Sequence, residues 1–419
     1  MAARQRGSKR FESGIIKRVA LGIYISIPFC RTKCSYCNFA SDVFSRLVFE
    51  RYVDRVCADI ANAQHIAGKM GAQIEREVDS IYLGGGTPTV LESAQLRRIF
   101  ETVRQQFTVA LDAEITVESA PGTLAPGVVD ELLKYGVNRV SLGVQSFVDA
   151  EAAAVGRLHK RATVLEDIAR LRAVGIMNFN IDLIAGLPHQ TEESWQYSLD
   201  ETLATHAPHV SVYMLEVDED SRLGREVIAG GTRYHAHFVP DEEATADFYI
   251  VACEQLEAAG IAQYEISNFA RPGSESRHNL KYWTRQPYLG FGVDAHSMLL
   301  SASLGAAAIR FATADVLEKY VAGVPLQKTE VSHAEALEET FFLGLRLNRG
   351  IDLREIEANV GCERTHALHS TIDELVAYGL LDRQDHFIRL TPRGRLLSNE
   401  VFGRFLNPSK QANPTRERA

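Results

Sequence analysis

The stretch YISIPFCRTKCSYCNF, Tyr24 to Phe39, carries three of the six cysteines of this 419-residue chain, at spacing C-x3-C-x2-C. A β-branched, apolar run precedes the first thiol, so Cys30, Cys34 and Cys37 fall on a loop directly after a strand. Three thiolates this close together are a soft-metal signature: zinc, copper(I) or an iron–sulfur cluster. A structural zinc site asks for a fourth Cys or His at matching spacing, and none follows. A [4Fe–4S] cluster normally takes four thiolates, so three leave one iron open to a non-protein ligand. The spacing favours that cluster, with zinc as the alternative. Cys57, Cys253 and Cys362 stand alone and read as buried structural residues.

Outward from this loop, β-rich runs alternate with helical patterns. Strands are predicted at 21–27, 80–85, 113–119, 138–144, 178–184 and 209–217, and helices near 46–68, 90–106, 125–135, 162–174 and 191–205. Six βα units imply a parallel sheet with right-handed crossovers, two units short of a closed eight-stranded barrel. The expected fold is therefore α/β, an open partial (β/α)6 barrel with function at the C-terminal strand ends. After a helix near 241–259 comes QYEISNFARPGSESRHNLKYW (263–283), read as loop-rich, polar and aromatic. Two helices and a β-hairpin within 330–402 predict a winged-helix-like α+β domain. The expected division is a basic flexible arm (1–19), the barrel (20–240), a linking region (241–325), the winged-helix-like domain (326–405) and a flexible tail (406–419).

Bulk properties limit the function classes. A net charge of −9 argues against general nucleic-acid binding. The basic N-terminal residues Arg4, Arg6, Lys9, Arg10, Lys17 and Arg18 precede no apolar signal core, and no window is apolar enough to span a membrane. Six cysteines make no disulfide framework, which points to a reducing cytoplasm.

Further motifs fall at the predicted strand ends. GGGTPT (84–89) follows the second strand, and its bare glycines let a ligand approach the backbone at Gly85, Gly86 and Thr87. Glu118 ends the third strand, Gln145 follows the fourth, and Asp182 lies within the fifth. Arg157 is placed early in the next helical segment, where its planar fork suits a carboxylate.

C-x3-C-x2-C after a first strand, with the aromatic Tyr36 before the last Cys, resembles the radical S-adenosylmethionine (SAM) superfamily. That resemblance implies a partial (β/α)6 barrel. It also implies a [4Fe–4S] cluster on Cys30, Cys34 and Cys37 whose open iron is chelated by SAM, cleaved there to a 5′-deoxyadenosyl radical. It implies SAM contacts from Tyr24, Tyr36, Gly85, Gly86, Thr87, Glu118, Gln145, Arg157 and Asp182, with Glu216 a weaker candidate near the adenine.

YISIPFC, GGGTPT, ESAPGT, GVNRVSLGVQSF and NIDLIAGLP together resemble the oxygen-independent coproporphyrinogen III oxidase group. The true oxidases carry a fourth Cys where this chain has Phe39, and a longer N-terminal segment. C-x3-C-x2-C-x-F, the H-N-x-x-Y-W of RHNLKYW (277–283), YEISNFA (264–270) and LTPRGRLLSNEVF (390–402) are instead similar to the group's heme-chaperone branch. Ser26 departs from a usual His, ESAPGT from EANPGT, and GFGVDAHS from a more glycine-rich form.

That branch implies a cytoplasmic heme carrier that passes heme to an acceptor protein, expected to be membrane-associated. The alternative is an enzyme that oxidatively decarboxylates coproporphyrinogen propionates. A zinc-bearing regulator using the winged helix is the remaining reading. Imidazole is a common axial heme ligand, so His278 is a candidate heme contact, and His296 a second. Equally, His278 and Asn279 read as hydrogen-bonders, and Tyr282 and Trp283 as core anchors.

Overall fold

The alternation of side chains along the first strand already decides which way the sheet faces. In the computed structural model, which describes residues 19–406, Ile23, Ile25 and Ile27 of β1 (Leu21–Ile27) are fully buried among apolar side chains. Tyr24 and Ser26, on the other face, meet polar groups, as the two-residue period of a strand requires. The strands that follow are β2 (Glu77–Gly85), β3 (Thr108–Ser119), β4 (Arg139–Gln145), β5 (Asn178–Ala185) and β6 (His209–Met214). All six are parallel and hydrogen-bonded in sequence order.

The barrel does not close. On the β6 side, β8 (Asn268–Ala270) and β7 (Ala262–Gln263) pair antiparallel. On the β1 side, β9 (Tyr288–Phe291) pairs parallel, and β10 (His296–Leu300), β11 (Ala308–Ala312) and β12 (Gln327–Val331) continue antiparallel. The result is a twelve-stranded sheet curled into an open barrel. The parallel strand at β9 is not in the sequence expectation, because four residues give too short a run to show a period.

Helices cover the outer face at Arg46–Ala61, Ala63–Met70, Ser93–Gln106, Pro126–Lys134, Arg161–Ala173 and Glu192–Ala204. The single helix expected over 46–68 is two, with Asn62 ending one and starting the next. A capping box between Thr191 and Ser194 starts the sixth, each hydroxyl accepting the other residue's N–H. The sixth strand stops at Met214, earlier than the 217 expected.

Beyond β12, helices His333–Gly344, Leu353–Val360 and Cys362–Ala377 pack with a small antiparallel sheet. Its strands are β13 (Ile351–Asp352), β14 (Leu381–Gln384) and β15 (Phe387–Leu390), in the order β13-β15-β14. The arm and tail expected at 1–19 and 406–419 fall almost wholly outside the described residues, as does the Cys362 side chain. Cys57 and Cys253 are half-buried rather than buried. Among the described residues no helix is long and apolar enough to cross a membrane.

Candidate functional site at the barrel mouth

The thiol loop leaves β1 at its C-terminal end and is pinned from several sides. The Cys30 N–H donates to the Asp42 carbonyl at 3.0 Å, and the Ser35 N–H to the Val155 carbonyl at 3.0 Å. From the segment after β6, the Leu223 N–H reaches the Ser35 carbonyl at 2.8 Å, Arg222 donates to the Lys33 carbonyl at 2.9 Å, and Asn38 donates to Asp218 at 3.0 Å. These backbone anchors hold the loop's shape without using a thiol.

Each sulfur instead faces a polar group that can donate to a thiolate. The Thr87 hydroxyl is 3.7 Å from Cys30 Sγ, and an Arg157 guanidinium nitrogen is 3.7 Å from Cys34 Sγ. Lys33 Nζ lies 3.7 Å from Cys37 Sγ, with the Ser41 hydroxyl at 3.8 Å. Burial pushes the Cys30 thiol up, opposed by hydrogen bonds from Thr87 and Ser41, while the charges of Cys37 and Cys34 push it further up. The three sulfurs thus sense one another. Cations and donors beside a thiol favour the thiolate, the form that binds metal. Among the described residues no group of three or more Cys, His, Asp or Glu side chains is arranged to hold a single metal ion.

The inward face of the barrel is polar where an eight-stranded barrel would be packed with branched aliphatics. Tyr24 stacks on Tyr82 with centroids 6.1 Å apart, and the Tyr82 hydroxyl donates to Glu118 at 2.8 Å. Glu118 also accepts the Gly85 N–H at 3.1 Å. Burial raises its carboxyl to about 7 against those two hydrogen bonds, with the charge of Asp182 adding to the rise. Asp182 accepts from Ser141 at 3.1 Å and Asn180 at 2.6 Å, and burial raises it too, with Ser211, Asn180, Ser141 and Arg157 opposing.

Gly85 stands at φ +97, and a Cβ there would lie 2.9 Å from Ser26 Oγ and 3.3 Å from the Tyr24 hydroxyl. The Gly86 and Thr87 N–H groups are engaged by the Ile27 and Phe29 carbonyls, each at 2.8 Å. The turn's N–H groups at Gly86 and Thr87 are thus already spent within the fold.

Arg157 is on the loop between helices Asp149–Ala154 and Arg161–Ala173, not early in a helix as expected. There it bridges Cys34 Sγ and the Gly143 carbonyl. Burial lowers its pKa, but Tyr36, Cys34 and Asp182 outweigh that, so the guanidinium is firmly charged. Gln145 takes φ +70, an uncommon conformation for a residue other than glycine and one that gathers at functional sites. Its Oε1 and the Nε of Arg157 are both buried without a partner. Two orphaned polar atoms on the inward face are what a polar ligand would satisfy.

The stretch 263–283 closes the opposite end of the barrel. RHNLKYW is not loop but a helix, Arg277–Trp283, started by Ser276, whose hydroxyl accepts the Asn279 N–H at 3.3 Å. His278 is 1% exposed. Its Nδ1 is 3.0 Å from the Ser80 hydroxyl and its Nε2 is 2.9 Å from the Tyr282 hydroxyl. Burial lowers its pKa to about 3, and Lys281 lowers it further. With both nitrogens engaged at the N-terminal end of β2, His278 offers none to an iron here. The geometry gives it the hydrogen-bonding role. His296 is instead exposed at the mouth, beside Asp294.

Comparison with known proteins agrees with this geometry. Residues 24–201 match the Radical SAM superfamily model, and residues 331–397 match the HemN C-terminal domain. A heme chaperone HemW from Bacillus subtilis (strain 168) is 34% identical over 386 residues, covering 91% of this chain and 98% of that protein. The chain belongs to the HemW family. A HemW from Escherichia coli (strain K12) is 30% identical, covering 94% of this chain and all of its own length. The solved coproporphyrinogen III oxidase HemN from E. coli matches with a TM-score of 0.78 at 25% identity, covering 92% of this chain and 90% of that one. HemW membership places the chain in the radical SAM fold, which implies a [4Fe–4S] cluster and SAM as cofactors.

The motifs miss several residues that build this HemW-type site. Lys33, Ser41, Asn38 and Asp218 set the loop, while Thr87, singled out in the sequence for its backbone, also reaches the Cys30 thiol through its side chain. Lys33 and Ser41 lie within four residues of Cys37, which was signal enough to find them. Asp218 lies 180 residues from Asn38 and gave none.

Proposed function

We propose that this chain is a heme carrier of the radical SAM fold that receives heme and passes it to an acceptor protein. The observation that carries the reading is the near-complete alignment with proteins named heme chaperones. It is supported by Phe39 at the position where the oxidases have a fourth Cys, with a side chain that is 64% exposed.

Cys30, Cys34 and Cys37 would hold the [4Fe–4S] cluster, leaving one iron for SAM. When bound, the cluster supplies the electron for cleaving the SAM sulfonium bond. The chain's own groups then do the orienting. Arg157 sets a fixed charge between Cys34 and the lumen. Glu118 and Asp182 present carboxylates to the ammonium and ribose ends. Tyr24 and Tyr36 supply flat apolar surface, and Gln145 a free amide oxygen.

The raised Glu118 carboxyl gives a pH test. Below about 7 it is mostly protonated and cannot pair with the SAM ammonium; above, it can. SAM affinity therefore rises as pH increases through 7 and levels off only once the carboxyl is fully ionised above that. In Glu118→Gln the affinity is lower and flat over that range, as read by equilibrium dialysis with the cluster reconstituted. An unchanged pH profile in the variant removes Glu118 from the site.

An anaerobic assay separates the carrier from the enzyme reading. Supplied with coproporphyrinogen III, SAM and reductant, the protein is expected to form no protoporphyrinogen. Sustained turnover would overturn the carrier reading.

A further inference from the structure

Against the thiol loop, and lined by none of its three cysteines, lies a cleft of about 610 Å³. One wall is the loop itself, through Lys33 and Ser35, with Val155 and Gly156 beside it. The other is the turn Arg233–Phe238, through Tyr234, His235, His237 and Phe238, with Arg222 at the junction. The volume falls in the usual range of small-molecule sites.

Four observations converge on the ligand. First, the turn is held in an uncommon shape, with Tyr234 and His235 consecutively left-handed at φ 55 and 62. Second, His235 Nδ1 is 2.9 Å from Nε2 of His189, itself at φ 69 and tied by its N–H to the Phe238 carbonyl. This pairing engages His235 at Nδ1 and leaves Nε2 for a ligand; in the tautomer with the proton on Nδ1, Nε2 keeps its lone pair, the arrangement metal-ligating histidines use. Third, Phe238 is half-exposed with its ring 4.0 Å from His237 and 4.1 Å from His189, and Tyr234 lies near it in the turn. Together they give flat aromatic surface beside the imidazoles. Fourth, Ser35 is 5% exposed, lines the cleft, and its Oγ is buried without a partner. Beside it Arg222 donates one N–H to the Lys33 carbonyl, from a guanidinium that carries five. Flat apolar walls, an imidazole lone pair, and a hydroxyl with a guanidinium suited to carboxylate describe an iron porphyrin with its propionates.

We infer that this cleft is the heme-receiving site, with His235 as an axial ligand, Phe238 and Tyr234 against the ring, and Arg222 and Ser35 toward a propionate. The inference rests on the heme-carrier reading and adds its location. It puts heme and the cluster against one loop, through Lys33 and Ser35, so that occupancy of one site can be felt at the other.

The test is hemin titration of the full-length, cluster-reconstituted protein, read by the Soret band and by low-spin ferric EPR. His235→Ala is expected to weaken hemin binding roughly tenfold or more and to lose the imidazole-ligated spectrum. Its iron–sulfur content and SAM affinity stay at wild-type values. His189→Ala, a positioning change, keeps the ligated spectrum but weakens binding severalfold. Arg222→Ala weakens binding of hemin but not of its dimethyl ester. The exposed His65→Ala behaves as wild type. The inference is overturned if wild type binds hemin and His235→Ala and His237→Ala bind it with the same affinity and spectrum, or if loss tracks His278→Ala or His296→Ala instead. Absence of binding by wild type itself would overturn the carrier reading and the inference with it.

Discussion

Replacing Cys34 by Ala is expected to abolish the iron–sulfur cluster, with loss of its visible charge-transfer absorption and of acid-labile sulfide after anaerobic reconstitution. Cys34 is 6% exposed, and its sulfur faces Arg157 with the loop backbone tied on both sides. Removing it leaves two thiolates, too few to hold four irons against solvent. Cys34→Ser should do the same, because a hydroxyl is a hard and poorly ionised ligand. The loop itself should survive, since its anchors are backbone groups and Asn38. Cys57→Ala, with its sulfur on a helix remote from the mouth, should reconstitute normally. Full sulfide content in Cys34→Ala would remove the loop from the cluster assignment.

The second large effect is on stability. Glu339, 8% exposed at its side chain, receives Arg285 Nε at 2.8 Å and Arg310 NH2 at 3.2 Å. It lies on the helix His333–Gly344, whereas Arg285 follows the floor helix and Arg310 is on β11, so this group joins the C-terminal region to the barrel's extension. Glu339→Ala leaves two largely buried guanidinium groups without their carboxylate and is expected to cost about 3 kcal/mol. The check is the urea midpoint of wild type and variant. Isosteric Glu339→Gln should recover part of the loss by keeping hydrogen-bond acceptance at one oxygen. A variant that melts with wild type would show that the two regions are held by apolar packing alone.

How much of this was legible in the sequence depends on the range of the interaction involved. Local patterns were. The cysteine spacing, the glycine turn after β2 and the carboxylates Glu118 and Asp182 each announce themselves within a few residues, and the structure gathers them at one barrel mouth. The alternation of Ile23, Ile25 and Ile27 with Tyr24 and Ser26 also carried the polar lumen. Pairings between distant segments left no local trace. The parallel β9, the Asn38–Asp218 bond and the Arg285–Glu339 pair come from contacts across more than fifty residues, set by the packed fold and not by local preference. His278 shows the limit most plainly. Its motif marks a residue that matters, but only the hydrogen bonds to Ser80 and Tyr282 show that both its nitrogens are engaged in the barrel floor. Conversely, Tyr234 to Phe238 form no motif by spacing; only the folded turn brings His235 to His189, 46 residues away.

The most direct measurement of the central claim is a single titration. Hemin is added to the wild-type protein with its cluster reconstituted, and the mixture is then desalted. The account predicts a saturating Soret shift at one equivalent and heme that stays with the protein through the column. A spectrum that remains that of free hemin, with no heme retained, would contradict it.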